Sequence, residues 1–217
     1  MADRPIRLIE RIESLLARVL VRLPGHLHVR MSGEPPVVAD GAALDPHVQL
    51  VRALRRRRNP HPLCEPTLDA GRERYRREAL LFRGPMTQVG AVRDFTIPGD
   101  GGALRVRHYA PAASGPQPLT VYLHGGGFTI GDLDTHDEAC RILCRYAGVH
   151  VLSVEYRLAP ENPFPAALDD ARATLRWAQA HAAELGADPA RVTIGGDSAG
   201  GNLAAVIAIE TRGDRPP

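Results

Sequence analysis

The sequence predicts an α/β fold with a mostly parallel sheet and flanking helices, preceded by a helical region. From residue 119 onward, strand-like apolar stretches alternate with helical stretches, which is the pattern of βαβ units. Residues 149–156 form a near-continuous apolar run, typical of a parallel strand buried on both faces. We therefore expect two regions, an Arg-rich helical region of residues 1–85 and an α/β region of residues 86–217.

The helical region is expected to contain three helices. The first has apolar residues at three- and four-residue spacing and ends at Pro24-Gly25; these residues are Ile9, Ile12, Leu16, Val19 and Leu23. A Pro/Gly-rich connector through Pro36 is expected to follow. Asp45-Pro46 supplies a cap and a first turn for the second helix, which runs to the arginine cluster Arg55–Arg58. The third helix is predicted over residues 68–82.

The α/β region is expected to begin with a hairpin. Two extended stretches, residues 89–97 and 104–109, flank the sequence Gly99-Asp100-Gly101-Gly102, and glycines in such a turn favour the hairpin geometry. Strands and helices then follow in turn: strand 119–123, helix 138–147, strand 149–156, helix 166–185, strand 191–196 and helix 199–210.

Composition narrows the range of possible chemistries. The 217 residues carry a net charge of +2, divided between 16 arginines and 10 acids in residues 1–85 and 11 arginines and 15 acids beyond them. Every basic residue is arginine, which excludes a lysine Schiff base, a P-loop lysine and a Ser-x-x-Lys pair. Three cysteines without a signal peptide favour a cytoplasmic location. No apolar run approaches 18 residues, so no membrane span is expected.

The segment Gly196-Asp197-Ser198-Ala199-Gly200 fits the pattern Gly-x-Ser-x-Gly between a predicted strand and a predicted helix. A serine on such a sharp turn stands at the carboxyl edge of a sheet, and flanking glycines let the neighbouring chain pass close by. This context predicts a nucleophile elbow. The structural alternative is a glycine-rich turn with a serine that caps the helix.

The segment His124-Gly125-Gly126-Gly127 directly follows the predicted strand 119–123. Successive glycines expose backbone N–H groups, which acyl-transfer enzymes need where a carbonyl oxygen becomes an oxyanion. A nucleotide-binding loop is disfavoured because there is no Gly-x-Gly-x-x-Gly after a first strand and no P-loop lysine. The structural alternative is a flexible turn, but two such motifs in this order favour catalysis.

Three linked motifs resemble the hormone-sensitive-lipase-like branch of the α/β-hydrolases, whose members are mostly carboxylesterases of short- to medium-chain esters. They are HGGGFTIGDLDTHD from His124, EYRLAPENPFPAALDD from Glu155 and GGDSAGGNLA from Gly195. The resemblance covers about residues 90–217, and the helical region loosely matches that family's cap. It implies no cofactor, metal or nucleic acid, and a small-molecule ester as substrate. An oligomer is compatible with it.

The resemblance also implies the roles of individual residues. Ser198 would be the nucleophile, and the N–H groups of Gly125, Gly126 and Ala199 would form the oxyanion hole. The supporting motif residues are His124, Gly127, Asp197, Gly196 and Gly200.

One part of the family pattern has no counterpart in the sequence. In α/β-hydrolases an Asp or Glu and then a histidine follow the nucleophile, whereas the last histidine here is His181. We therefore expect a partial α/β-hydrolase fold, truncated after the nucleophile helix and inactive as it stands, with an unpaired strand edge. His124 and His136 are expected to be structural rather than substitute bases. The alternatives are a non-catalytic small-ligand-binding protein and a degenerate gene product.

Other residue groups could be functional, but each is expected to be structural. If the arginine cluster bound nucleic acid or an anionic membrane, the affinity of the chain for polyanions would fall as the salt concentration rises. Cys140 and Cys144 could form half of a metal site, and Asp132, Asp134 and Asp137 could form a cation-binding loop. Asp169 and Asp170 could be catalytic acids. We expect the two thiols to be buried and the three aspartates of residues 132–137 to be loop and helix-start acids. Asp169 and Asp170 are expected to hold the preceding proline-rich loop, and Trp177 is expected in the core.

Overall fold

The computed structural model describes residues 15–16, 19–20, 22–58 and 67–212. The chain divides into two compact units, Met1–Gly84 and Pro85–Pro217. The predicted first helix lies largely outside the described residues, although its described positions 15–16 and 19–20 are helical.

Beyond the helical positions 15–16 and 19–20, the described part of the first unit contains three helices and one short β-ribbon: α1 Gly25–Ser32, β1 Val38–Ala39, β2 Ala42–Ala43, α2 Pro46–Arg58 and α3 Leu68–Phe82. The prediction of a connector after Pro24 was wrong, because α1 occupies most of it. Gly33 ends α1 in the left-handed region, at φ 73°. Helices α2 and α3 confirm the predictions for residues 46–58 and 68–82.

Side-chain caps explain where α2 and α3 begin. Oδ1 of Asp45 accepts hydrogen bonds from the N–H groups of His47 and Val48, and Oγ1 of Thr67 accepts one from Ala70. These bonds satisfy N–H groups that a helix leaves without a carbonyl partner in its first turn. The Asp45-Pro46 pair therefore works as the sequence predicts.

The second unit is a five-stranded sheet with three helices. Its elements are β3 Ala91–Gly99, β4 Gly102–Ala110, β5 Gln117–Leu123, α4 Asp137–Ala147, β6 His150–Val154, α5 Ala166–His181, a 3₁₀ turn Ala183–Leu185, β7 Ala187–Gly196 and α6 Ser198–Glu210. Strands β3 and β4 form the predicted hairpin, in which Gly99 pairs with Gly102. The strands and helices follow the predicted order, with bounds shifted by a few residues.

The strand order is β3-β4-β6-β5-β7. Strand β5 pairs in parallel with both β6 and β7, whereas β3, β4 and β6 pair antiparallel. The sheet is therefore mixed, and its βαβ units contribute the parallel part. In the described part of the chain, β7 lies at an edge of the sheet.

Both faces of the sheet are covered by helices, as the apolar strands require. The larger core contains alternating strand residues such as Leu119, Val121 and Leu123, packed with residues of α5 and α6. The other face packs on α4 through Cys140 and Cys144 with Tyr109 and Val151. Both thiols are buried, and burial raises their pKa values to about 12 and about 11, so they remain protonated.

Ion pairs anchor the loops next to the helices. Asp170 is fully buried and accepts hydrogen bonds from both the backbone N–H and the guanidinium of Arg157, which confirms its expected structural role. Arg107 pairs with Asp94 inside the hairpin, and its contacts with Asp134 and Asp137 hold the hairpin against the start of α4. Among the described residues, no helix is long and apolar enough to cross a membrane.

Candidate active site

Two turns lie side by side where β5 and β7 end. These strands are parallel neighbours, and their last residues, Leu123 and Gly196, are register partners. The carboxyl ends of parallel strands are where open α/β sheets place ligands. The turn after β5 contains residues 124–127, which we call the oxyanion loop, and the turn after β7 contains residues 196–200, which we call the nucleophile turn.

The nucleophile turn has the geometry predicted for an elbow. Ser198 has φ 49° and begins α6, a backbone conformation that non-glycine residues seldom adopt. A Cβ atom at Gly196 or Gly200 would overlap the carbonyl oxygen of Leu123. Glycine at these two positions therefore lets the turn pack against the end of β5, while Ser198 remains exposed.

The oxyanion loop has its own backbone constraints. Gly126 has φ 129° and Gly127 has φ 60°, and a Cβ atom on Gly126 would overlap the Ile130 carbonyl oxygen. The N–H groups of Thr129 and Ile130 both donate to the Gly126 carbonyl, which closes the turn. Among the described residues, no hydrogen bond uses the N–H of Gly126 or Gly127. Those two donors remain available to a ligand.

The N–H group of Gly125 has a different role from the one expected. It donates to Oδ1 of Asp197 across a distance of 2.9 Å, so this donor is already used inside the protein. The hydroxyl of Tyr122 donates to the same oxygen at 2.8 Å. The place of Gly125 in the oxyanion hole stays a prediction, and this contact disfavours it because the N–H of Gly125 bridges the two turns.

The side chain of His124 is buried against the oxyanion loop. Its ring is fully buried, stacks on Tyr156 with 4.2 Å between centroids, and has Nδ1 2.8 Å from the Gly125 carbonyl oxygen. The Tyr156 hydroxyl donates to the His124 carbonyl at 2.6 Å. Burial lowers the pKa of His124 to about 4, so the ring is neutral at pH 7. A buried neutral ring agrees with its expected structural role.

His136 lies close to both turns. It is the N-cap residue of α4, its Nδ1 is 2.9 Å from Oγ1 of Thr135, and its Nε2 is 3.5 Å from Oδ1 of Asp197. The described residues contain no histidine hydrogen-bonded to the Ser198 hydroxyl. The structure therefore places neither His124 nor His136 in hydrogen-bond contact with Ser198.

Sequence reasoning missed two tyrosines that hold this region together, Tyr122 and Tyr156. Each bonds to a residue far away in the chain, 75 positions for Tyr122 and 32 for Tyr156. Their position at or just beyond the carboxyl ends of β5 and β6 was the available signal. Side chains at those ends lie next to the turns that follow parallel strands.

The other candidate groups have structural partners. In the arginine cluster, Arg55 pairs with Glu78 at 2.7 Å, Arg56 pairs with Glu34, and Arg57 donates to the Ser32 carbonyl. These contacts favour the structural interpretation over a nucleic-acid site. Within the described ranges, no group of three or more His, Cys, Asp or Glu side chains could hold a metal ion.

Comparison with known proteins agrees with this geometry. Residues 120–217 match a family described as having the α/β-hydrolase fold. The chain is 43% identical over 212 residues to the carboxylic ester hydrolase LipN of Mycobacterium tuberculosis, covering 95% of this chain and 56% of LipN. It is 43% identical to a Pyrobaculum calidifontis esterase of known structure, with a TM-score of 0.65 over 70% of this chain and 49% of the esterase. The carboxylesterase EstE1, from a metagenomic library, gives 44% identity and a TM-score of 0.65, covering 68% of this chain and 51% of EstE1.

The fold and the paired turns, together with these similarities, define an α/β-hydrolase. Within that class, the chain is similar to carboxylic ester hydrolases and esterases, which agrees with the resemblance inferred from its three motifs. The chain spans about half the length of the relatives it matches.

Proposed function

We propose that this chain supplies the nucleophile and the oxyanion hole of a carboxylic ester hydrolase that acts through an acyl-serine intermediate. The observation that carries the proposal is Ser198 at φ 49°, exposed at the start of α6 and beside a loop with unused N–H donors. Relatives named as carboxylic ester hydrolases and esterases support the same reaction class.

Each residue has a defined task in this reaction. Ser198 Oγ attacks the ester carbonyl, and the carbonyl oxygen gains negative charge as the tetrahedral intermediate forms. The N–H groups of Gly126 and Ala199 donate to that oxygen. Gly127 supplies a third unused N–H group in the same loop. Ala199 lies in the first turn of α6, where N–H groups have no preceding helical carbonyl. Loss of one such donor typically costs about 3–4 kcal/mol of transition-state stabilisation.

The hydroxyl proton of Ser198 must pass to a base when the serine attacks. The activity of the chain alone therefore depends on whether such a base is present. In the described part of the structure, no side chain accepts a hydrogen bond from the Ser198 hydroxyl. A serine without a base is a weak nucleophile at neutral pH. We therefore propose that the 217-residue chain alone hydrolyses esters no faster than its Ser198→Ala variant.

Exogenous imidazole can replace a missing base, and this provides the test. Hydrolysis of p-nitrophenyl butyrate is measured for the chain and for Ser198→Ala across a series of imidazole concentrations, with p-nitrophenyl palmitate testing chain length. We expect equal rates without imidazole and a Ser198-dependent increment with it, larger for butyrate. With imidazole present, a butyl phosphonate ester should label Ser198 and no other residue, as read by peptide mass spectrometry.

Two outcomes would change the proposal. If neither imidazole-dependent turnover nor phosphonate labelling depends on Ser198, ester hydrolysis is wrong. The non-catalytic small-ligand-binding protein then becomes the better account, and it predicts that butyrate esters bind without turnover. A Ser198-dependent rate without imidazole would instead support ester hydrolysis and contradict the inactivity of the chain alone.

A further inference from the structure

The side chain of Asp197 connects the nucleophile turn to the oxyanion loop. We propose that Asp197 and Tyr122 form a positioning pair that fixes the oxyanion loop relative to Ser198. We call the carboxylate of Asp197, the hydroxyl of Tyr122 and the N–H of Gly125 the latch. This inference rests on the proposed function, because it assigns the latch to the same oxyanion hole.

The latch joins two segments that are distant in the sequence through one oxygen atom. Oδ1 of Asp197 accepts hydrogen bonds from the Tyr122 hydroxyl at 2.8 Å and from the Gly125 N–H at 2.9 Å. Tyr122 lies in β5, Gly125 lies in the oxyanion loop, and Asp197 directly precedes the nucleophile. Hydrogen bonds to an ionised acceptor are stronger than bonds between neutral groups. The latch therefore holds the loop to the residue next to Ser198.

The usual role of an aspartate at this position does not explain the contact. Asp197 is the N-cap residue of α6, where an aspartate side chain normally accepts from an N–H of the first helical turn. Here its side chain makes no such cap bond. The N–H groups of Gly200 and Gly201 donate to its backbone carbonyl instead. The carboxylate is thus turned away from its own helix and toward Gly125.

Because Gly125 has no side chain, the carboxylate of Asp197 can lie directly against it. A Cβ atom there would overlap Oδ2 of Asp197 and lie 2.9 Å from its Cγ. The φ of Gly125 is not in the left-handed region, unlike those of Gly126 and Gly127. The requirement for glycine at position 125 therefore comes from the carboxylate that lies against it, rather than from the backbone conformation.

The latch determines where the catalytic donors lie. The Gly126 N–H belongs to the peptide that follows Gly125, whereas the Ala199 N–H lies two residues after Asp197. One bond between Gly125 and Asp197 therefore constrains the separation of the two donors that share the oxyanion. Donors held in place before the reaction stabilise an oxyanion more than donors that must reorganise.

The sequence allows the Gly125 amide to be observed alone. His124-Gly125 is the only His-Gly pair among the nine histidines. The full chain, labelled with ¹³C-carbonyl histidine and ¹⁵N-glycine, therefore gives one carbonyl-filtered amide signal. Its hydrogen exchange rate is compared between the unchanged chain, Asp197→Ala, Asp197→Asn and Tyr122→Phe. Asp188→Asn is the matched control, because it removes the same charge from β7 at a site bonded to Arg191 and Ala190.

We expect Asp197→Ala to speed exchange at Gly125 by about tenfold or more, the ratio that corresponds to loss of one hydrogen bond to a charged group. Tyr122→Phe should give a smaller increase. Asp197→Asn should partly restore protection, because its amide oxygen can still accept from Gly125, and Asp188→Asn should change nothing. Phosphonate labelling of Ser198 should slow in the same order.

Unchanged exchange at Gly125 in Asp197→Ala would overturn the latch, as would equal acceleration in the Asp188→Asn control. Asp197→Asn keeps the test decisive if the alanine variant unfolds, since a folded asparagine variant must then show intermediate exchange. The exchange readout needs no turnover. Failure of ester hydrolysis with an intact exchange pattern would therefore remove the proposed function alone, and the reverse pattern would remove the latch alone.

Discussion

The oxyanion loop and the nucleophile turn follow neighbouring parallel strands, but they hold their shapes by different means. The oxyanion loop places glycines at its unusual φ values and is held by side chains from elsewhere, through Asp197 and Tyr156. The nucleophile turn places a serine at φ 49° and relies on glycines on either side to approach the end of β5. Side chains from other segments hydrogen-bond to the first turn, whereas the second turn also depends on glycines that pack against Leu123.

Under the proposed function, this difference follows from what each turn must present. Backbone N–H donors need no side chain, so glycines can take the required conformation without strain. A nucleophile must carry a side chain, so its turn accepts a strained φ that the surrounding packing maintains. The two turns should therefore respond differently to added methyl groups, to acid and to relief of backbone strain.

The largest effect on stability is expected from adding a methyl group to the nucleophile turn. A Cβ atom at Gly200 would overlap backbone atoms of Leu123 that cannot easily move, whereas a Cβ atom at Gly201 would lie 3.0 Å from the nearest atom. We expect Gly200→Ala to lower the free energy of unfolding by about 3 kcal/mol or more, although alanine is the better helix former by about 1 kcal/mol. Urea denaturation followed by the fluorescence of Trp177 measures it.

Gly201→Ala is the matched control, one residue further along the same helix. We expect a change of about 1 kcal/mol or less there. If both variants lost the same stability, close packing at the end of β5 would not be what fixes the nucleophile turn.

The sequence predicted the elements of both turns because their signals are local. The order of strands and helices, the hairpin at Gly99–Gly102 and the serine between strand and helix all follow from apolar periodicity and glycine placement within a few residues. Helix α1 was missed because Pro24-Gly25 and the nearby prolines resemble a connector, and eight residues give little periodicity.

The contacts between the turns could not be predicted in the same way. The bond from Gly125 to Asp197 spans 72 positions, and it depends on β5 and β7 being neighbours. Ala199 at the helix start could be proposed from the motif alone. The contact at Gly125 could not, because the side chain that uses its N–H group comes from a distant part of the sequence.

An effect of intermediate size on stability is expected at acidic pH, because His124, which contacts the oxyanion loop, is held neutral in the folded chain. Its pKa is about 4 in the folded chain, against 6.5 for an unperturbed histidine. Between these values the unfolded chain binds a proton that the folded chain does not, so stability falls as the pH falls through this window. The loss approaches about 3 kcal/mol at most. His108 shifts in the same direction, to about 4.

Comparing the chain with His124→Asn isolates this contribution. The stability advantage of the unchanged chain should be largest near pH 7 and should shrink as the pH falls toward 4.5, as measured by urea denaturation at each pH. A parallel offset between the chain and His124→Asn at every pH would show that His124 is not held neutral beneath the loop.

The smallest effect is expected from relieving the strain at Ser198. Ser198→Gly and Ser198→Ala both remove the hydroxyl, but only glycine adopts φ 49° without a steric cost. That cost is about 1–2 kcal/mol, and the greater freedom of glycine in the unfolded chain offsets part of it. We therefore expect Ser198→Gly to be more stable than Ser198→Ala by about 1 kcal/mol in urea denaturation. An alanine variant at least as stable as the glycine variant would mean that the turn relaxes without the serine. The packing around Leu123 would then not be imposing the nucleophile's conformation, and the contrast between the two turns would fail at its central residue.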